Sequence, residues 1–110
     1  PTYFPRNVTL EHILPQKPGP RSQWRAKFPD QKRRVELSQM LGNFAILSTK
    51  VNPKASNFDF HKKREIMFGS SDSNIFPLTA PLVRTRDWTP ESIMKRQTEL
   101  TDLAREILRL

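Results

Sequence analysis

Glu11 and His12 place a carboxylate beside an imidazole, and two amides follow at a distance: Asn43, just after Leu41-Gly42, and Asn52 nine residues later. An imidazole titrates near neutrality, so His12 suits the task of accepting a proton from an attacking water. A carboxylate and an amide oxygen are hard donors of the kind that magnesium takes. Two such donors leave the rest of its shell to waters and phosphate oxygens. The set as a whole suits phosphodiester hydrolysis, with His12 as general base and with Glu11 and Asn52 on a divalent cation that neutralises the phosphate and the leaving oxygen.

These residues need elements to bring them together. Asn7-Val8-Thr9-Leu10 is a β-prone run that ends in Glu11-His12-Ile13-Leu14. Neighbours on an extended strand point to opposite sides, so a bend at the strand end must aim Glu11 and His12 at one cleft. Pro15, Pro18, Gly19 and Pro20 mark a loop. Trp24 and Phe28 are one helical turn apart. A short helix is predicted over residues 31–41, with Val35, Leu37 and Leu41 as its apolar contacts and Gly42 as its stop. Phe44-Ala45-Ile46-Leu47 reads as a second, mostly buried strand. A helix is predicted over residues 53–68, opened by Pro53 and preceded by Asn52. Such a helix start also favours an anion. Residues 69–74 read as a connection and 75–87 as irregular. The last helix starts at Pro90 with Thr89 as its cap, and Ile93, Leu100, Leu103, Ile107 and Leu110 form a stripe expected to pack on the core.

The formal net charge is +8. Residues 1–68 hold 13 Lys and Arg against 5 Asp and Glu, whereas residues 69–110 hold 6 of each, so the whole surplus lies in the first part of the chain. A one-sided basic surface attracts a polyanion, and nucleic acid is the commonest. Lys54, Lys62, Lys63 and Arg64, with Arg33 and Arg34, are the candidate phosphate contacts, and Arg21 and Arg25 share the basic segment. Asn57 is a further candidate for DNA contact, whereas His61 reads as an exposed helical histidine. Trp24, Phe28, Phe44, Phe58, Phe60 and Trp88 read as core. The absence of cysteine excludes disulfides and a thiolate zinc scaffold. No apolar run is long enough to span a membrane. A cytoplasmic address is expected.

The run EHILPQ at 11–16, LGNFAILSTKVN at 41–52 and SNFDFHKKR at 56–64 resemble the HNH, or ββα-metal, nuclease motif. More narrowly, they resemble the C-terminal HNH domain of GmrSD-type and related phage-defence restriction endonucleases. Trp88, Ile93, Arg96 and Leu100 fit that family's terminal helix. The resemblance implies an α+β fold, a short two-stranded hairpin with a helix behind it and further helices around. The motif core would lie at about residues 7–68 and a helical extension at about 88–110, in one domain cut from a larger protein.

It also implies that Asn43 is a catalytic-site residue that holds the loop after the first strand, and that Mg2+ or Mn2+ is the cofactor. DNA would be the substrate, cut or nicked to leave a 5′-phosphate and a 3′-hydroxyl. The expected partner is an N-terminal nucleotide-hydrolysing sensor domain, since this chain has no Gly-rich phosphate loop of its own. The broad superfamily often has Asp where this chain has Glu11. The competing reading from charge alone is a basic nucleic-acid-binding module without catalysis.

Overall fold

The computed structural model of the chain describes residues 9–47, 55–68 and 78–108. Strand β1 (Thr9–His12) pairs antiparallel with β2 (Phe44–Leu47), with Glu11 opposite Ala45 and His12 opposite Phe44. Between them run helices α1 (Gln23–Lys27) and α2 (Gln31–Ser38) and a 3-10 turn, Leu41–Asn43. A second 3-10 turn (Ala55–Asn57), α3 (Phe60–Phe68), α4 (Ala80–Val83) and α5 (Pro90–Leu108) follow. The fold is α+β, a two-stranded antiparallel hairpin among several helices, as expected.

The core is aromatic. Trp24, Phe28, Phe60 and Trp88 are all buried, with Phe60 stacked on Trp88 at 5.9 Å and Trp24 edge-on to Phe60 at 6.3 Å. Ile13, Leu14, Ala45 and Ile93 close around them without exposure. Burial on this scale contributes about 1.5–3 kcal/mol per large apolar side chain. The indole Nε1 of Trp24 donates to the Phe58 carbonyl at 2.9 Å, so the ring also fixes the turn ahead of α3.

Several local expectations are corrected. The predicted helix over 53–68 is broken among its described residues. The Phe58 carbonyl is used by Trp24, and the Asp59 carboxylate accepts from the backbone N–H of Gln23 at 3.1 Å. These tertiary bonds compete with helical ones, and α3 begins only at Phe60. The helix predicted over 31–41 ends at Ser38; Val35 and, in the turn beyond it, Leu41 are exposed, and Arg34, Leu37 and Ser38 are the buried positions of α2 instead. Residues 80–83, read as irregular, form a helical turn.

Helix α5 is capped as predicted, with a reciprocal pair. The Thr89 hydroxyl accepts from the Ser92 N–H, and the Ser92 hydroxyl accepts from the Thr89 N–H. Its stripe packs only at its start. Ile93 is buried, but Leu103 is 37% and Ile107 is 70% exposed. At about 1.5 Å per residue, a helix of this length outruns a four-residue hairpin. Leu110 lies outside the described residues.

Gly42 has a different task from the one expected. Helix α2 ends before it, and Gly42 sits in the 3-10 turn that α5 packs against. A Cβ built on Gly42 would collide with the Ile93 carbonyl oxygen and lie 2.7 Å from the Gln97 backbone nitrogen. The Gln97 side chain accepts from the Gly42 N–H at 2.7 Å, which fixes the approach. Backbone on both sides leaves no flexible atom to give way. Gly42→Ala is expected to cost about 1–3 kcal/mol, read as a lower urea midpoint at unchanged slope. An unshifted midpoint would show that α5 moves aside freely.

Candidate active site

The end of β1 opens into a cleft of about 270 Å³. Glu11 and His12 line one side, Pro15, Gln16 and Lys17 of the following loop line another, and Ser56, Asn57 and Lys63 close it. The expected bend is therefore present. Neighbours that would diverge on a flat strand reach the same cavity, because β1 stops at His12 and the chain turns at Ile13-Leu14.

Asn43 makes that turn. It is fully buried and lines no part of the cleft. Its side-chain oxygen accepts from the Leu14 N–H at 2.8 Å and from the Trp88 indole N–H at 3.1 Å. Its amide nitrogen donates to the Leu14 and Ser38 carbonyls, both at 3.0 Å. The Ile13 N–H donates to the Asn43 carbonyl at 2.8 Å. The Asn43 side chain thus holds the strand exit by bonding to its backbone, away from the cleft.

The His12 ring lies 4.4 Å from that of Phe44, between centroids. Its Nε2 is buried and has no hydrogen-bond partner among the described residues. Burial holds the His12 pKa below the ordinary histidine value. The Lys63 charge adds to that effect, and the Glu11 charge opposes it. Burial thus favours the neutral ring, whose free nitrogen lone pair can take a proton.

Lys63 departs most from expectation. It was a candidate for a solvated phosphate contact, but its side chain is fully buried. Its ammonium donates to the carbonyls of His12, Ile13 and Ser56, at 3.1 Å for Ile13 and 2.8 Å for Ser56. The Glu11 Oε2 lies 3.0 Å away as a fourth neighbour and forms an ion pair with the ammonium. Burial lowers the Lys63 pKa, and the charge of Glu11 and its hydrogen bond to the ammonium oppose that. The sequence does carry a signal for this residue. Phe60, Lys63 and Met67 fall on one face of α3 and are its buried positions, so a lysine stands where the helix is otherwise apolar.

The other candidates scatter. Asn57 is exposed at the cleft, and Lys62 is exposed with its ammonium 4.5 Å from the Phe58 ring centre. Arg64 is half-buried and donates to the Thr85 carbonyl. Arg34 is also corrected as a phosphate contact, because it is buried and donates to the Phe28 carbonyl at 2.8 Å. Arg33 is exposed beside Glu36, on α2 and away from the cleft lining. His61 is exposed, as expected. Asn52 and Lys54 lie outside the described residues. Gln16, Lys17 and Ser56 line the cleft but were not singled out from the sequence.

The donor set can be tested against a divalent cation. No group of three or more His, Cys, Asp or Glu able to hold a metal occurs among the described residues. What is present is one carboxylate, ion-paired through its buried Oε2 to Lys63, beside an unpartnered imidazole nitrogen. That fits a hard cation with few protein ligands and many waters, and it does not fit a closed structural metal site.

Residues 2–103 match the family of GmrSD restriction endonucleases, C-terminal domain. The chain belongs to this family. The match takes in the cleft residues and the start of α5 together, so hairpin, cleft and terminal helix are one family unit. No match is found among curated proteins or among solved structures. No helix among the described residues is long and apolar enough to cross a membrane.

Proposed function

We propose that this domain is a divalent-metal-dependent DNA endonuclease of the ββα-metal (HNH) type, acting in the restriction of phage or modified foreign DNA. One observation carries the reading. An imidazole with a buried, unpartnered Nε2 shares a cleft with a carboxylate whose buried oxygen has the Lys63 ammonium beside it. The order of hairpin and then α3, with Lys63 of α3 reaching under His12, supports the ββα arrangement. Family membership supports the nuclease class and DNA as substrate.

In this reading Glu11 and Asn52 hold Mg2+ or Mn2+, which supplies charge neutralisation for the phosphate and the leaving oxygen. His12 Nε2 takes a proton from water as the water oxygen attacks phosphorus. The bond from phosphorus to the 3′-oxygen breaks, and that oxygen gains a proton from solvent. Asn57 and Lys62 meet the DNA backbone beside the cleft. A separate N-terminal nucleotide-hydrolysing domain gates the cut in the cytoplasm, where foreign DNA arrives.

The test is conversion of supercoiled plasmid. With Mg2+ the 110-residue chain is expected to give open circles if it nicks, or linear DNA if it makes paired cuts. Chelation with EDTA is expected to stop conversion, and Mn2+ to restore it. DNA that is retained on the protein but stays supercoiled with every divalent ion would leave only a basic binding module. Conversion undiminished by EDTA would remove the metal from the proposal.

A further inference from the structure

Lys63 is a fully buried lysine whose ammonium donates to three backbone carbonyls. Two of those carbonyls, His12 and Ile13, are the strand exit itself, and the third, Ser56, belongs to the turn across the cleft. The ammonium therefore ties the two walls of the site together. The Glu11 Oε2 sits 3.0 Å away and is ion-paired to the same ammonium. A carboxylate paired with a single ammonium keeps lone pairs for another partner.

Resting on the nuclease reading above, we propose that Lys63 is a positioning residue that aims Glu11 into the cleft by charge and lowers the affinity of the site for a divalent cation. A unit positive charge beside the carboxylate repels an incoming doubly charged ion. Nucleic-acid phosphate brings the opposite charge and offsets that repulsion. The bare chain then binds the cation weakly, and the cation is held firmly only when DNA is in place. Glu11 is shared between lysine and cation in that state.

Two measurements test this. The first uses the unaltered chain. The side-chain nitrogen signal of a solvent-protected lysine ammonium is followed by NMR through a Mg2+ titration. It is expected to shift along the same saturation curve as Mg2+ binding. A protected ammonium that stays unmoved while the ion binds would overturn the proposal. The second measures Mn2+ binding without DNA by the electron paramagnetic resonance of the free ion. Lys63→Met, checked for folding by circular dichroism, is expected to bind Mn2+ at least about tenfold more tightly than the unaltered chain. Equal or weaker binding by folded Lys63→Met overturns the proposal. If Lys63→Met does not fold, the NMR titration decides alone. Mn2+ that binds no form, even with a phosphorothioate duplex present, instead defeats the metal reading on which the proposal rests.

Discussion

His12→Ala is expected to lower the rate of plasmid cleavage by about 10²–10⁴-fold, the range that a positioned general base contributes. DNA retention on a filter and the unfolding midpoint should change little. The contrast follows from where His12 makes its contacts. Its backbone carbonyl receives the Lys63 ammonium, and its backbone lies opposite Phe44 in the hairpin. Both survive loss of the ring. The ring itself packs on half-exposed Phe44, and its Nε2 bonds to nothing among the described residues. Were His12 a structural residue, the same substitution would lower the midpoint and leave the rate per folded molecule intact.

The pH profile gives a second readout of the same substitution. Burial is the main cause of the low His12 pKa, Lys63 reinforces it, and Glu11 works against it. A general base must be neutral, so the rate should be flat around pH 7 and fall only as pH drops through the depressed pKa, below the usual value of about 6.5. The stability sign runs the same way. The unfolded chain takes up its proton on His12 first, so the folded state loses stability as pH falls from about 6.5 toward the lower folded pKa. His12→Ala should remove both effects. An acid limb that persists in His12→Ala would assign the base to another group.

The extent to which these features could be read from sequence depends on how local their causes are. The hairpin strands, the Thr89 cap and the pairing of Glu11 with His12 rest on neighbouring residues, and each was legible. The break ahead of α3 was not, because it comes from Trp24 and Gln23, more than thirty residues away. Arg34 looks like solvated Arg33 in sequence, and Lys63 is set apart from solvated Lys62 only by its place on the apolar face of α3. Only the carbonyls that converge on them from other segments make them interior cations. Gly42 was read through its helix-stopping habit, whereas its cause is the backbone of α5 about fifty residues on. Charge counts located the basic part of the chain correctly but could not say which cations face water.

Asn43→Ala is expected to be the most destabilising single change at the site. It leaves the Leu14 N–H and carbonyl, the Ser38 carbonyl and the Trp88 indole N–H without their present partner. A buried polar group left unsatisfied costs about 1–3 kcal/mol. Four of them, even partly rescued by water, imply a loss on the order of 4 kcal/mol or more, a large share of the roughly 5–15 kcal/mol typical of a domain.

Asn43→Asp separates the two halves of the interaction. The carboxylate still accepts from Leu14 and Trp88, but it cannot donate to the Leu14 and Ser38 carbonyls, and it puts a charge where nothing is exposed. It should therefore be destabilised as well, while keeping the blue-shifted emission of a hydrogen-bonded, buried Trp88 better than the alanine variant does. Because Asn43 acts on His12 only through the chain turn at Ile13-Leu14, cleavage should fall with the folded fraction and with the geometry of that turn. The acid limb should stay where it is, since the ring that titrates is still present. Urea midpoints within about 1 kcal/mol of the parent for Asn43→Ala would mean that the loop is held without this amide, and the positioning role would then pass to Lys63 alone.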